Sequence, residues 1–351
     1  MKEAIVDVLR CPLTRGKLTL EIYEKEEKKY SNQTISEVKS GLLVSPSGYL
    51  FPVVNGVPRL QAESFLEHDD FLRKHKKDYD VLKKKIVEEY DFVIKQAIKR
   101  NKKTKQSFGM EWSVFRHGSD TTWGFNKESR KERFLKEINS TAEELKGKKL
   151  FDVGCGNGVL TSGIAEFGME TFGIDVSNSV EKAYINNQNP SVHYVQGDLQ
   201  LPPFASESFD IVYSTGVIHH TNNTELSFSC ISELTKRGGK LYIWLYKPEK
   251  DFKHNALNFA RSVTNKFPIK AQYWIFLILL VPQGLLKMRL RGIKRNWREQ
   301  LINYFDVLSC EFRYEHTPEE TEIWYLKRDF EKPVVTFVEY LGFGMYGVKK
   351  Q

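Results

Sequence analysis

Apolar positions along the chain change their period several times, and each change predicts a different element. Leu82, Ile86, Tyr90, Val93 and Ala97 fall at steps of three and four. That spacing predicts one apolar helix face inside a Lys/Glu-rich stretch from Glu63 to Lys105. A second amphipathic helix is predicted from about Lys127 to Leu145. From Lys149 onward, short apolar runs alternate with helical segments. Leu150–Val153, Thr171–Ile174, Val192–Val195, the run entered at Phe209 and Lys240–Tyr246 read as strands. Helices at Leu160–Phe167, through Val180 to Asn187, and at Glu225–Leu234 separate them. This alternation predicts an α/β fold around a doubly wound parallel sheet.

The ends and one insertion depart from that rhythm. Residues 1–62 read as a small β unit with an Asn55-Gly56 turn, followed by a helical linker at 63–105 and the α/β core at 106–247. Residues 248–305 read as a helical insertion, and 306–351 as a helix opened by Thr317-Pro318 plus two closing strands, Val334–Tyr340 and Met345–Lys349. The insertion holds the apolar run Tyr273–Val281, ended by Pro282. That run falls short of the roughly 20 residues needed to span a bilayer, and a buried cap helix is the plainer expectation. Lys266, Lys270, Lys287, Arg289, Arg291, Lys294, Arg295 and Arg298 flank it, so 273–298 also offers a peripheral membrane contact.

Composition narrows the class. Hydrophobic residues make up 40% of the chain, enough for a sizeable core and too many for a disordered chain. The net charge of +8 suits an anionic partner or simply a solvated basic surface. Cys11, Cys155, Cys230 and Cys310 lie far apart with no C-x-x-C pair, and the first residues lack an apolar secretory core. Both features lead us to expect a reducing, cytoplasmic setting.

Candidate chemistry centres on Lys149-Leu-Phe-Asp-Val-Gly-Cys-Gly-Asn-Gly-Val-Leu160. Gly154, Gly156 and Gly158 let the backbone approach a ligand closely and aim its N–H groups at it. Asp152 lies near the strand end, and Asp175, after the next strand, is placed to accept two ribose hydroxyls. The ligand is thus expected to be a nucleoside. A phosphate-cradling loop would need Gly-Lys-Ser/Thr, and a dinucleotide fingerprint would need glycine where Val159 stands.

The remaining pattern, Asp-x-Gly-x-Gly-x-Gly, resembles the class I S-adenosylmethionine-dependent methyltransferases of the ubiquinone/menaquinone-biosynthesis kind. The likeness runs from about Phe108 to Tyr246 and includes Leu201-Pro202-Pro203-Phe204 and Ser208–Ser214. It implies a seven-stranded Rossmann-like sheet and S-adenosylmethionine as cofactor. By motif match, Gly154, Gly156 and Gly158 pass under the methionine moiety and Asp152 accepts from its amino group. Asp175 holds the ribose, Asp198 beside Leu199 takes the adenine amino group, and Ser214, Thr215 and Gly216 lie near the methionine. Phe108–Trp112 and Thr122–Gly124 resemble segments that close over the ligands.

Leu9–Thr14 and Gly41–Pro58 resemble a zinc-ribbon-like domain. Thr14, Val44 and Ser47 stand where three of its four thiolates would be, so no metal is expected at Cys11. His219 and His220 are the candidate general bases, with Tyr213 and Glu111 as weaker ones. The expected activity is methyl transfer to a small-molecule, sugar or lipid-linked acceptor. RNA methylation and a non-catalytic assembly role remain open alternatives.

Overall fold

The computed structural model describes the chain except Thr122, Trp123, Lys250, Asp251 and the Lys253 side chain. Most of the predicted Thr122–Gly124 segment therefore lies outside the described residues. Four antiparallel strands come first: β1 (Thr19–Lys29), β2 (Thr34–Val44), β3 (Leu50–Val54) and β4 (Val57–Leu60). Asn55 and Gly56 join β3 to β4 with φ of 52° and 76°. That left-handed pair gives the twist a two-residue hairpin needs.

Three helices follow, α1 (Ser64–Glu67), α2 (Asp69–His75) and α3 (Tyr79–Val114). The linker helix does not stop near 105. It runs through the aromatic segment, because Gly109 sits in ordinary helical backbone at the modest cost a single glycine imposes. The helix expected over 127–145 is two, α4 (Lys127–Glu137) and α5 (Ala142–Leu145). Asn139 turns left-handed between them, and Thr141 opens α5 with a capping box to Glu144.

The core then runs β5 (Lys149–Val153), α6 (Val159–Ala165), β6 (Glu170–Asp175), α7 (Ser179–Asn186), β7 (Val192–Gly197), β8 (Phe209–Thr215), α8 (Thr224–Ser232) and β9 (Thr235–Tyr246). The insertion supplies α9 (Phe252–Thr264), α10 (Ile269–Ile275), α11 (Val281–Leu290) and α12 (Trp297–Leu308). A π turn at Phe276–Leu280 joins α10 to α11. The tail adds α13 (Pro318–Leu326), β10 (Val334–Val338) and β11 (Gly342–Val348).

Strand order is β1-β2-β3-β4-β7-β6-β5-β8-β9-β11-β10, eleven strands in all. The seven strands β5 to β11 form the expected sheet, with β11 antiparallel to β9. The N-terminal unit does not stand apart from it. β4 pairs in parallel with β7, Arg59 opposite Gln196, which covers an edge that would otherwise present unpaired backbone groups. Buried Arg59 clamps the joint, donating to Gln196 Oε1 at 3.0 Å and Glu181 Oε1 at 2.5 Å. Phe151, Phe172, Phe204 and Phe209 pack ring to ring in the core.

The insertion corrects one expectation. The apolar run is part of a continuous 22-residue helix, Ile269–Leu290, long and apolar enough to cross a membrane. Pro282 does not end it. The wider π turn, in which Val281 N–H bonds the Phe276 carbonyl, accommodates the proline that a tight α turn would reject. Nor is it a buried cap helix, since much of its surface is exposed.

Gly56 also seats the N-terminal unit on α7, because an added Cβ would overlap the Tyr184 ring. Gly56→Ala therefore combines a left-handed backbone with a steric clash and is expected to destabilise the fold by roughly 1–3 kcal/mol. A urea titration followed by circular dichroism measures this; an unchanged midpoint would refute the seating.

Candidate cofactor site

A cleft with about 1170 Å³ of atom-free space, part of it open to solvent, lies at the carboxyl ends of β5 to β8. Open α/β sheets bind ligands at this edge, where the strand order reverses. The loop after β5 forms its floor. Gly156 adopts φ 51°, and its N–H donates to Asp175 Oδ2 at 3.0 Å. A Cβ at Gly156 would come within 2.7 Å of Trp112, which reaches over the loop from α3. Gly154 lines the cleft, whereas Gly156 and Gly158 shape it from behind; Tyr194 Oη donates to the Gly158 carbonyl at 3.0 Å.

Acidic groups gather around this floor. Asp152, Asp175, Asp198, Asp306 and Glu111 all line the cleft. Asp152 accepts from Thr161 Oγ1 at 2.5 Å, yet burial pushes its pKa up to about 6. Asp175 Oδ1 accepts from Ser177 N–H at 2.8 Å and Ser177 Oγ at 2.7 Å, and burial raises its pKa as well. Glu111 is fully buried, and neither carboxyl oxygen has a hydrogen-bond partner among the described residues. Burial first, then Asp306 and Asp175, hold its pKa well above the carboxylate range. An orphaned buried acid among other acids calls for a cation or a donor.

That donor set fits S-adenosylmethionine. Its sulfonium and ammonium suit the acids, its ribose suits Asp175, and its carboxylate suits the half-buried Arg130 guanidinium, which lines the cleft within electrostatic reach of Asp152. Cys155 also lines the cleft, but burial pushes its thiol well above the usual range, so it is no nucleophile.

The remaining expected residues divide. Leu199, Thr215 and Gly216 line the cleft; Ser214 does not, because strand alternation turns it away at the end of β8. Asp198 is present but largely engaged: Oδ1 accepts from Gln200 N–H at 2.8 Å, and Oδ2 accepts from Asn101 Nδ2 at 2.8 Å and from Arg100. An adenine amino group would share that carboxylate with α3.

The two histidines part company on a 3-10 turn, Ile218–His220. His219 faces away from the cleft and packs 4.4 Å, centroid to centroid, from Tyr246; burial holds its pKa well below the ordinary value. His220 lines the cleft. Its Nδ1 lies 2.8 Å from the Phe312 carbonyl, which can only accept, so Nδ1 carries the proton and Nε2 the lone pair. Nε2 stands 3.9 Å from Asp306 Oδ1. Burial lowers the His220 pKa to about 4, so the ring is neutral at neutral pH. Tyr213 is structural, donating to buried Glu137 and stacking on Tyr242.

Arg130 and Asp306 were not singled out from sequence. A signal existed for Arg130, which shares a helix face with buried Phe134 and Glu137. Asp306 gave none, since it reaches the cleft from the insertion's last helix. Among the described residues, no group of three or more His, Cys, Asp or Glu could hold a metal ion.

Parts of the chain are similar to known proteins. Residues 151–243 match the family model of a methyltransferase domain. The chain is 32% identical over 101 residues to a ubiquinone biosynthesis O-methyltransferase of Coxiella burnetii, covering 28% of this chain and 43% of that protein. Its counterpart in Brucella anthropi is 30% identical over 100 residues, covering 28% and 40%. The chain thus spans less than half the length of these curated relatives. Among solved structures, a magnesium protoporphyrin IX methyltransferase of Synechocystis with bound S-adenosylhomocysteine aligns over 70% of this chain and 98% of its own, at 16% identity and a TM-score of 0.42. Residues 151–243 are thus similar to a methyltransferase domain.

Asp152 sets a pH dependence. Its carboxylate attracts the ligand's ammonium only when ionised, so affinity for S-adenosylhomocysteine should fall as pH drops through about 6. Asp152→Asn should bind more weakly and show a flatter profile. Calorimetry across that range is the check; an unchanged affinity in the native protein would contradict the assignment.

Proposed function

We propose that the protein transfers a methyl group from S-adenosylmethionine to a small-molecule, sugar or lipid-linked acceptor. The observation that carries this reading is a neutral histidine, His220, set with its lone-pair nitrogen beside Asp306 in the acid-lined glycine cleft. When bound, the cofactor supplies an electrophilic methyl group on a positively charged sulfur. The chain's own residues supply position and proton handling.

In this reading Arg130 holds the cofactor carboxylate, Asp152 its ammonium and Asp175 its ribose. Phe108 and Trp112 on α3 limit water at the reacting centre. His220 Nε2 takes the acceptor's proton while Nδ1–H stays on the Phe312 carbonyl. Asp306 then offsets the imidazolium charge. Glu111, whose pKa burial holds high, is the acid placed to answer a cation beside it. His219 has no part in the transfer.

The RNA alternative has less support from the linker, because three of its lysines are paired: Lys83 with Asp69, Lys84 with Glu88 and Lys95 with Asp91. A cytoplasmic location belongs to the same proposal, supported by four cysteines that stand free.

Calorimetric titration with S-adenosylhomocysteine tests the cofactor half of the reading. Micromolar binding lost in Asp175→Ala, with no response to NADH, is the expected result. No binding to folded protein would favour the non-catalytic alternative. For the base, His220→Asn should lower kcat roughly 10²–10⁴-fold with cofactor affinity unchanged. A kcat within a factor of about two of the native value would remove His220 from the mechanism.

A further inference from the structure

We propose that the helical cap made by α9, α10 and α11 is a docking surface that lies flat on an anionic phospholipid bilayer. Two helix faces support it. On the continuous helix Ile269–Leu290, Phe276, Val281 and Gly284 turn inward, and the π turn keeps Phe276 and Val281 on that one side despite their five-residue spacing. The outward side is apolar where a soluble surface would be polar: Ile278 is 62% exposed, Leu286 60% and Leu290 81%. On α9, Phe252 and Phe259 are 86% and 72% exposed, and Val263 continues their stripe at helical spacing.

Charge identifies the occupant. From Phe252 to Arg298 the chain holds ten basic residues and not one acid, which exceeds the whole net charge of +8. Among the described residues, one of these Lys and Arg side chains is seen in an ion pair, Arg298 with Asp120. Lys266, Lys270, Lys287, Arg289, Lys294 and Arg295 have no acidic partner among the described residues. Exposed apolar rows beside unpaired cations match a bilayer, whose acyl boundary takes the first and whose anionic headgroups take the second. A second copy fits poorly, since a symmetric pair would set these cations against themselves. A nucleic acid would leave the aliphatic rows uncovered.

The helix is long enough to cross a membrane, but its inner face is committed. Phe276 meets Phe305 of α12 edge-on at 5.3 Å, and Gly284 lies where a Cβ would come within 2.5 Å of Tyr304 Oη. Crossing would strip those contacts, whereas lying in the interface keeps them. The same α12 carries Asp306 into the cleft, so the docked face is one helix away from the site. Resting on the methyl-transfer reading, this places the acceptor class among amphiphiles drawn from the bilayer.

The test is co-sedimentation of the full chain with vesicles of phosphatidylcholine, with and without about 30% phosphatidylserine. The account expects binding at least roughly tenfold tighter with phosphatidylserine, and weakening as salt rises. Ile278→Glu with Leu286→Glu should abolish it, and Arg289→Glu with Lys294→Glu should remove the phosphatidylserine preference. S-adenosylhomocysteine calorimetry in buffer, unchanged in every variant, shows that the fold is intact and separates this proposal from the methyl-transfer reading. Native protein left in the supernatant with both vesicles would overturn the proposal. So would binding that survives the glutamate pairs, or a dimer in ultracentrifugation that those pairs dissolve.

Discussion

The bond from the Gly156 N–H to the Asp175 carboxylate ties the floor of the cleft to the neighbouring strand. It requires a backbone that turns left-handed where Trp112 leaves no room for a side chain. Only glycine satisfies both demands. The same carboxylate faces the cleft, so the group that shapes the loop is also the one placed to meet a ribose. Loop geometry and ligand preference are therefore one constraint.

Around that floor the protein concentrates buried acidic groups, which Arg100 and Arg130 neutralise only in part. Asp152 sits at a raised pKa, and the Glu111 carboxyl oxygens have no hydrogen-bond partner among the described residues. Such an arrangement costs stability in the free protein and is relieved by a ligand carrying positive charge. The long helix α3 closes the cleft by bringing Arg100, Asn101, Phe108, Glu111 and Trp112 to one wall. Part of its hold is the Asp198 carboxylate itself. Cofactor entry and the seating of α3 thus share a group.

Much of this was legible in the sequence, for local reasons. Asn55-Gly56, the Thr317-Pro318 helix start and the spaced glycines each state a backbone requirement that few other residues meet. Strand and helix alternation gave the sheet, because the two periods are distinct over short windows. What stayed hidden depends on contacts between distant segments. Asp306 arrives from an insertion, and β4 joins β7 across more than a hundred residues. Adjacent His219 and His220 cannot be told apart by type, yet a 3-10 turn sends one into the cleft and the other behind it. Gly109 and Pro282 show the same limit. Each disfavours a helix locally, yet α3 absorbs its glycine and the π turn before Pro282 makes room for the proline.

The measurement that bears most directly on the account is a crystal structure of the protein with S-adenosylhomocysteine. The account predicts the ligand in the cleft of β5 to β8, with ribose hydroxyls on Asp175, the amino acid moiety over the glycine loop between Asp152 and Arg130, and Glu111 facing its positive end. A ligand bound elsewhere, or a cleft empty at saturating concentration with α3 still seated on Asp198, would contradict it.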